Sequence, residues 1–157
     1  MSKILYAGLS DPGRLRRHNE DRWLADPGLG LYVVADGLGG IVGGERAAEL
    51  AVQYLPHYLR KHLRGLGSLG DARTTERILA AFADLCQHVR QEGLAQPRLK
   101  GMGTTVVAAL VWDRQALIAH LGDSRAYLLR DGGLEQLTRD HSPIQRLLDR
   151  GVQQFKF

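Results

Sequence analysis

The chain has few cysteines, few aromatic residues and no long apolar stretches, and each of these features excludes a class of protein. Cys86 is the only cysteine among 157 residues, so no disulfide can form within the chain. A single cysteine is typical of a reducing compartment, and we expect a cytoplasmic protein. No apolar stretch reaches the roughly 20 residues of a membrane-spanning helix, and the apolar run near the N-terminus is too short for a signal peptide. We therefore expect no membrane association.

The chain is basic, but its positive charge is not gathered into one patch. The net charge is +4, from 21 basic and 17 acidic residues. The tightest basic group is Arg14, Arg16 and Arg17, and aromatic residues make up only 6% of the chain. A nucleic-acid-binding surface requires a basic face with aromatic side chains for stacking. We therefore expect no nucleic-acid partner.

Two long helices are predicted in the first half. Apolar residues recur at helical spacing from Gly43 to Leu63, where Pro56 predicts a kink or a break. A second helix is predicted to begin at a cap formed by Asp71, Thr74 or Thr75 and to end near residue 92. The positions expected in the core of this second helix are Ile78, Leu79, Phe82, Leu85, Cys86 and Val89.

The remaining pattern is rich in strands. Short strands are predicted at 3–9 and 22–25, with a clearer one at 30–36, and residues 104–112 predict a strand buried on both faces. Asp131-Gly-Gly133 predicts a hairpin turn, with a short helix to follow near 143–150. The other predicted strands are 115–121, 126–129 and 134–137. Strands, two helices and then strands favour an α+β fold over a repeating βαβ unit.

The segment from Leu31 to Gly40 carries the strongest chemical signal. A strand-like run leads directly into Asp36 and then into a glycine-rich turn. A buried carboxylate is costly unless it is paired or bound to a cation. The glycines that follow leave space for a metal ion or a phosphate to approach the backbone. Taken alone, the segment fits an ordinary Asp-Gly turn equally well.

Three further segments carry acids or glycines. The first, from Gly13 to Asp21, combines Arg16, which can hold a phosphate through two parallel hydrogen bonds, with Glu20 and Asp21, which suit a hard cation. The second, Gly101-Met-Gly-Thr-Thr105, is predicted to have a structural role. The last comprises residues 120–125 and 137–142, and it places Asp123 just after a predicted strand.

In order, these motifs read R-x-x-N-E-D, A-D-G-x-G-G, G-T-T, G-D-S-R and L-T-x-D-H-S. Between about Ser10 and Ser142 the set resembles the metal-dependent protein phosphatase family (PPM, protein phosphatase 2C-type), in the form of the small bacterial Ser/Thr phosphatases. The resemblance implies a four-layer α-β-β-α sandwich of two antiparallel sheets flanked by helices. It also implies one partial domain over residues 1–157, which hydrolyses phosphoserine and phosphothreonine with a metal-activated water.

The resemblance also implies roles for particular residues. Asp36 would bridge two Mg²⁺ or Mn²⁺ ions, and Gly37 would offer its backbone carbonyl to one of them. Glu20 would hold metal-bound water, with Asp21 close by, and Arg16 would bind the substrate phosphate. The residue that matches the aspartate of a third, weaker metal is Asp123. The implied partners are proteins phosphorylated on Ser or Thr by an opposing Ser/Thr kinase.

The chain departs from the family pattern at two points. Ile41 stands where many members carry His after A-D-G-x-G-G. Members also continue beyond the D-H-S segment into strands with two further metal aspartates, in Asp-Gly and Asp-Asn segments, whereas here no acid follows Asp149. We therefore expect a fold that is incomplete at the C-terminus and a weakened activity. The alternatives are a non-catalytic module that binds phosphoproteins, or an inactive fragment.

Overall fold

Two antiparallel sheets and three α-helices are present in the computed structural model, which describes residues 4–150. The strands of the larger sheet come first in the chain, and the two long helices interrupt them. In chain order the elements are β1 (Asp21–Asp26), β2 (Leu31–Leu38), α1 (Gly40–His62), α2 (Thr74–Ala95), a 3₁₀ turn (Pro97–Leu99), β3 (Gly103–Thr104), β4 (Val106–Trp112), β5 (Gln115–Leu121), β6 (Tyr127–Arg130), β7 (Gly133–Gln136) and α3 (Pro143–Asp149).

The larger sheet has the strand order β1-β2-β4-β5, and β3 extends it beside the end of β2. All of its pairings are antiparallel. Strands β6 and β7 form a separate hairpin, in which Asp131 and Gly132 adopt φ angles of 51° and 78°, as a two-residue type I′ turn requires. Two antiparallel sheets with helices confirm the predicted α+β class.

Helices α1 and α2 cover one face of the larger sheet. The residues of β2 alternate accordingly: Leu31, Val33 and Ala35 are buried against the helices, whereas Val34 on the opposite face is 51% exposed. Each helix contributes one apolar stripe to this core. The buried helical residues include Ala47, Leu50, Ala51, Leu55, Leu59, Ile78, Phe82, Leu85 and Val89.

Two expectations for the helices are wrong in part. Helix α1 is not broken at Pro56, because the buried neighbours Leu55 and Leu59 hold the helix against the core despite the lost backbone hydrogen bond. Leu79 and Cys86 are exposed instead of lying in the core. The reason is that α2 packs through a single stripe, which leaves its flank open. The predicted extent of α2 agrees with the structure to within three residues at its C-terminal end.

Two expectations for the strands are also corrected. Residues 4–9 of the predicted 3–9 strand are not in a sheet, and Leu5 and Leu9 are 83% and 92% exposed, because no described strand pairs with this segment; residue 3 lies outside the described residues. Strand β4 is buried on its helical face only. Its other face, formed by Val107, Ala109 and Val111, is half-buried because no complete second sheet covers it among residues 4–150.

Candidate metal centre at the end of strands β1 and β2

Two carboxylates face each other where β1 begins and β2 ends. Asp21 and Asp36 are direct partners in the antiparallel register, so their side chains lie on the same face of the sheet. This is the face opposite the helices, because Ala35 and Arg22 on the neighbouring positions point towards α1. As cross-strand partners on one face of the sheet, the two side chains are close neighbours.

The pKa of the Asp36 carboxyl depends on its burial and on the charged groups near it. Burial raises the pKa of the Asp36 carboxyl above its usual value, and the neighbouring Asp21 raises it further. The positive charge of Arg16 opposes this shift, and the negative charge of Asp123 adds to it. The structure therefore brings Arg16, Asp21, Asp36 and Asp123 into one electrostatic neighbourhood, although they come from three separate segments. Such a cluster of acids is the environment in which a bound cation is most stabilising.

The backbone of Asp36 is held from the other side by two threonines. The Asp36 N–H donates to Thr105 Oγ1 over 3.1 Å, and the Asp36 carbonyl accepts from the Thr105 N–H over 2.8 Å and from Thr104 Oγ1 over 3.0 Å. Thr105 is only 2% exposed. The Gly101–Thr105 segment therefore has the structural role predicted for it, since it positions the strand end that carries Asp36.

Thr105 also connects this strand end to the loop that carries Asp123. Its hydroxyl lies 2.7 Å from the hydroxyl of Ser124. The loop is braced further by an ion pair between Arg125 and Asp140, with N–O distances of 2.8 and 2.7 Å, and by the His141 N–H, which donates to the Gly122 carbonyl. His141 thus has a structural role in this loop.

Asn19 organises the loop before β1, a role the sequence reasoning did not assign. Its side-chain amide donates to Ser10 Oγ over 2.7 Å, and its Oδ1 accepts from the Asp21 N–H over 3.0 Å. Arg22 donates to the backbone carbonyls of Asn19 and Asp21 and forms an ion pair with Glu45 on α1. An Asn two residues before an acid is the only sequence signal for this role, since Asn side chains commonly bond backbone two residues on.

Glu20 lies directly before β1, and its side chain is close to Gly44 of α1. The carboxyl carbon of Glu20 and the carbonyl oxygen of Gly37 would each lie 3.0 Å from a Cβ atom on Gly44. A Cβ on Gly37 would in turn lie 2.0 Å from the Gly44 carbonyl oxygen. Both glycines are therefore required sterically, because β2 and the first turn of α1 touch through their backbones here.

The donor chemistry fits Mg²⁺ or Mn²⁺, because carboxylate and carbonyl oxygens are the ligands that hard cations prefer. Asp36, Asp21 and the Gly37 carbonyl are of this type. Within residues 4–150, however, no three His, Cys, Asp or Glu side chains converge closely enough to hold a metal ion. The described residues thus supply part of a ligand set and leave coordination positions to water or to other groups.

Residues 16–146 match the family described as Protein phosphatase 2C. That match covers most of the chain, and the chain belongs to this family. It is 40% identical over 148 residues to the serine/threonine protein phosphatase PstP of Mycobacterium tuberculosis, a match that covers 94% of this chain and 27% of PstP. It is 38% identical over 149 residues to the serine/threonine phosphatase stp of Listeria monocytogenes, with 90% and 56% coverage.

Solved structures agree with this assignment. The catalytic domain of PstP in complex with two manganese ions superposes with a TM-score of 0.68 at 38% identity, over 91% of this chain and 58% of that one. The chain therefore spans little more than half of the Listeria relative and of the PstP catalytic domain. None of the helices in residues 4–150 is long and apolar enough to cross a membrane.

Proposed function

We propose that this chain carries part of the active site of a metal-dependent protein phosphatase, which hydrolyses phosphoserine and phosphothreonine in proteins. The observation that supports the proposal most is the facing pair Asp21 and Asp36 in a member of the protein phosphatase 2C family. The charges of Arg16 and Asp123 both influence the pKa of Asp36. We propose further that residues 1–157 form one partial domain, that the protein opposes a Ser/Thr kinase, and that it is cytoplasmic, as its single cysteine favours.

Each residue of the proposed site has a distinct task. Asp36 and the Gly37 carbonyl would hold two Mg²⁺ or Mn²⁺ ions, and Glu20 and Asp21 would orient water beside them. When bound, such a cation pair lowers the pKa of a water molecule and neutralises phosphate charge. Arg16 would hold the phosphate through its planar guanidinium, which matches two phosphate oxygens. Asp123 would help to hold a third, weaker ion.

One observation favours a second function. The described residues lack three converging metal ligands, and Arg16 could hold a phosphorylated segment without hydrolysis. A non-catalytic module for phosphoprotein binding is therefore the alternative. The two functions predict different metal stoichiometry, because catalysis requires two ions at a fixed separation, whereas binding requires one weak ion or none.

Titration of the chain with Mn²⁺, followed by an assay on a phosphothreonine peptide, tests the proposal. We expect Mn²⁺ binding that Asp36→Ala abolishes and that Glu76→Ala, which changes an exposed acid on α2, leaves intact. We also expect slow phosphate release that Arg16→Ala reduces more than Arg17→Ala does. Unchanged Mn²⁺ binding by the Asp36→Ala variant would overturn the assignment. Peptide binding without turnover would favour the binding module.

A further inference from the structure

A groove lies on the helical side of the larger sheet, away from the candidate metal centre. It runs between the C-terminal half of α2 and the segment that contains β3, and its volume is about 330 Å³. This volume falls within the range of small-molecule sites, roughly 300–1,000 Å³. The apolar side chains that line it are Leu85, Val89, Leu94, Met102, Val106 and Leu121.

Among residues 4–150, the charged residues that line this groove are two cations. Arg90 on α2 and Lys100 after the 3₁₀ turn both contribute to its lining and are exposed, and no Asp or Glu of the described residues does so. Neither cation forms an ion pair within residues 4–150, whereas Arg46 on α1 pairs with Glu49 and Glu92. An apolar floor with unpaired positive charge at its edge is complementary to a molecule that has an apolar tail and an anionic head.

We propose that this groove binds a small amphipathic anion, a medium-chain carboxylate such as decanoate. The aliphatic chain would lie on the leucine, valine and methionine side chains, since each CH₂ removed from water favours binding. The carboxylate would pair with the Arg90 guanidinium through two parallel hydrogen bonds and with the Lys100 ammonium as a point charge. The proposal does not depend on the phosphatase assignment.

The groove reaches the back of the strand end that carries Asp36. Thr104 lines the groove and also donates its hydroxyl to the Asp36 carbonyl. Met102, another lining residue, lies so close to Gly39, just before α1, that a Cβ atom on Gly39 would be 2.8 Å from the Met102 Cα. A ligand in the groove would therefore contact β3 on the side away from the Asp21–Asp36 pair.

Cys86 provides a local reporter of occupancy. It is the only cysteine, is exposed and lines the groove. Partial burial raises the pKa of the Cys86 thiol, so alkylation is measured at mildly alkaline pH. Iodoacetamide is the appropriate reagent because it is uncharged and does not compete for the two cations. With decanoate below its micellar concentration, we expect saturable protection, with alkylation about tenfold slower at about ten times Kd.

Matched variants test whether the head group is recognised. Arg90→Gln and Lys100→Gln should each raise the concentration for half-protection about tenfold, because each removes a charge-assisted contact. Arg98→Gln should leave it unchanged, since Arg98 lies outside the groove and donates to Gln96. Decanol should protect more weakly than decanoate.

Two results would overturn the proposal. One is an alkylation rate that decanoate does not change, which would mean that any binding occurs elsewhere, for example on the open face of the sheet. The other is a lack of charge recognition. It would appear as protection by decanol that equals protection by decanoate, or as decanoate protection of the Arg90→Gln and Lys100→Gln variants that equals protection of the unsubstituted chain. Either outcome would mean that the two cations do not bind the carboxylate. Circular dichroism spectra of both variants, which change exposed side chains, establish that they are folded; unfolding would expose Cys86 and raise the rate instead.

Discussion

The two faces of strand β2 differ in how they are covered. On the helical face Val33 is 2% exposed, whereas its neighbour Val34 on the other face is 51% exposed. The first face packs against α1 and α2. The second borders a wide groove of about 500 Å³, lined in part by Tyr6, Trp23 and Tyr127. One strand thus serves as both core and open surface.

The charged site lies on the open face, and the difference between the faces explains why. Asp21 and Asp36 are half-buried there, and Asp21 also lines the open groove. Two adjacent carboxylates on the helical face would be removed from water without a partner, at a large free-energy cost. On the open face water, a cation or a phosphate can reach them. The helical face therefore provides stability, and the open face provides the chemistry.

The largest expected effect is the difference in stability between two Val→Ala variants, one on each face of β2. Val33→Ala should lower the free energy of unfolding by about 2 kcal/mol, because it removes buried methyl groups and leaves a cavity. Val34→Ala should change it by less than about 0.5 kcal/mol, as expected at a half-exposed position. Urea unfolding of both variants checks this. Equal losses would show that the open face is covered in solution.

The second effect concerns self-association. Exposed apolar side chains around the open groove, including Trp23 and Val34, favour contact with another copy of the chain. Val34→Lys should weaken association about tenfold, which corresponds to about 1.4 kcal/mol. Leu79→Lys is the matched control, since Leu79 is 65% exposed on the helical side. Sedimentation over a concentration series measures both; an equal response would remove the distinction between the faces.

A third, smaller effect is expected where the two faces meet at Thr105. Thr105→Val removes the hydroxyl that accepts from the Asp36 N–H and contacts Ser124, so we expect a loss of about 1 kcal/mol in unfolding free energy. Thr105→Ser keeps the hydroxyl and should retain much of this contribution. Chemical unfolding of the Thr105→Val and Thr105→Ser variants distinguishes the lost hydrogen bonds from changes in packing. If Thr105→Ser destabilised the chain as much as Thr105→Val does, the packing of the methyl group would contribute as much as the hydrogen bonds.

The smallest effect is a pH dependence from Asp36. Its pKa in the folded chain is raised above the usual value of 3.8, so the folded state holds this proton more tightly than the unfolded state does. The contribution of Asp36 to stability therefore falls as the pH rises through the interval above 3.8 and is unfavourable at neutral pH.

Asp36→Asn should consequently stabilise the chain at neutral pH by less than about 1 kcal/mol when no divalent cation is present. The gain should shrink as the pH falls towards 3.8. Thermal unfolding across this pH range in a chelating buffer measures it. A gain that is independent of pH would assign the effect to something other than the titration of Asp36.

The sequence alone determined the features that depend on neighbouring residues. Apolar residues at helical spacing predicted α1 and α2, because a helical stripe repeats within a few positions. Asp131-Gly-Gly133 predicted the β6–β7 turn, because the left-handed backbone there is a local requirement. The ordered motifs indicated the family, and the run from Leu31 to Asp36 placed an acid at a strand end. These predictions were confirmed because none of them requires a distant contact.

Only the tertiary structure decided which distant groups meet and which surfaces are covered. The register that sets Asp21 opposite Asp36, and the hydrogen bonds of Thr105 to Asp36 and Ser124, join residues far apart in the chain. The exposure of Leu79 and Cys86, the open face of β4, the unbroken helix at Pro56 and the unpaired segment at 4–9 depend likewise on which elements pack together. A one-dimensional pattern records what a residue prefers, whereas burial and pairing depend on what the rest of the fold places beside it.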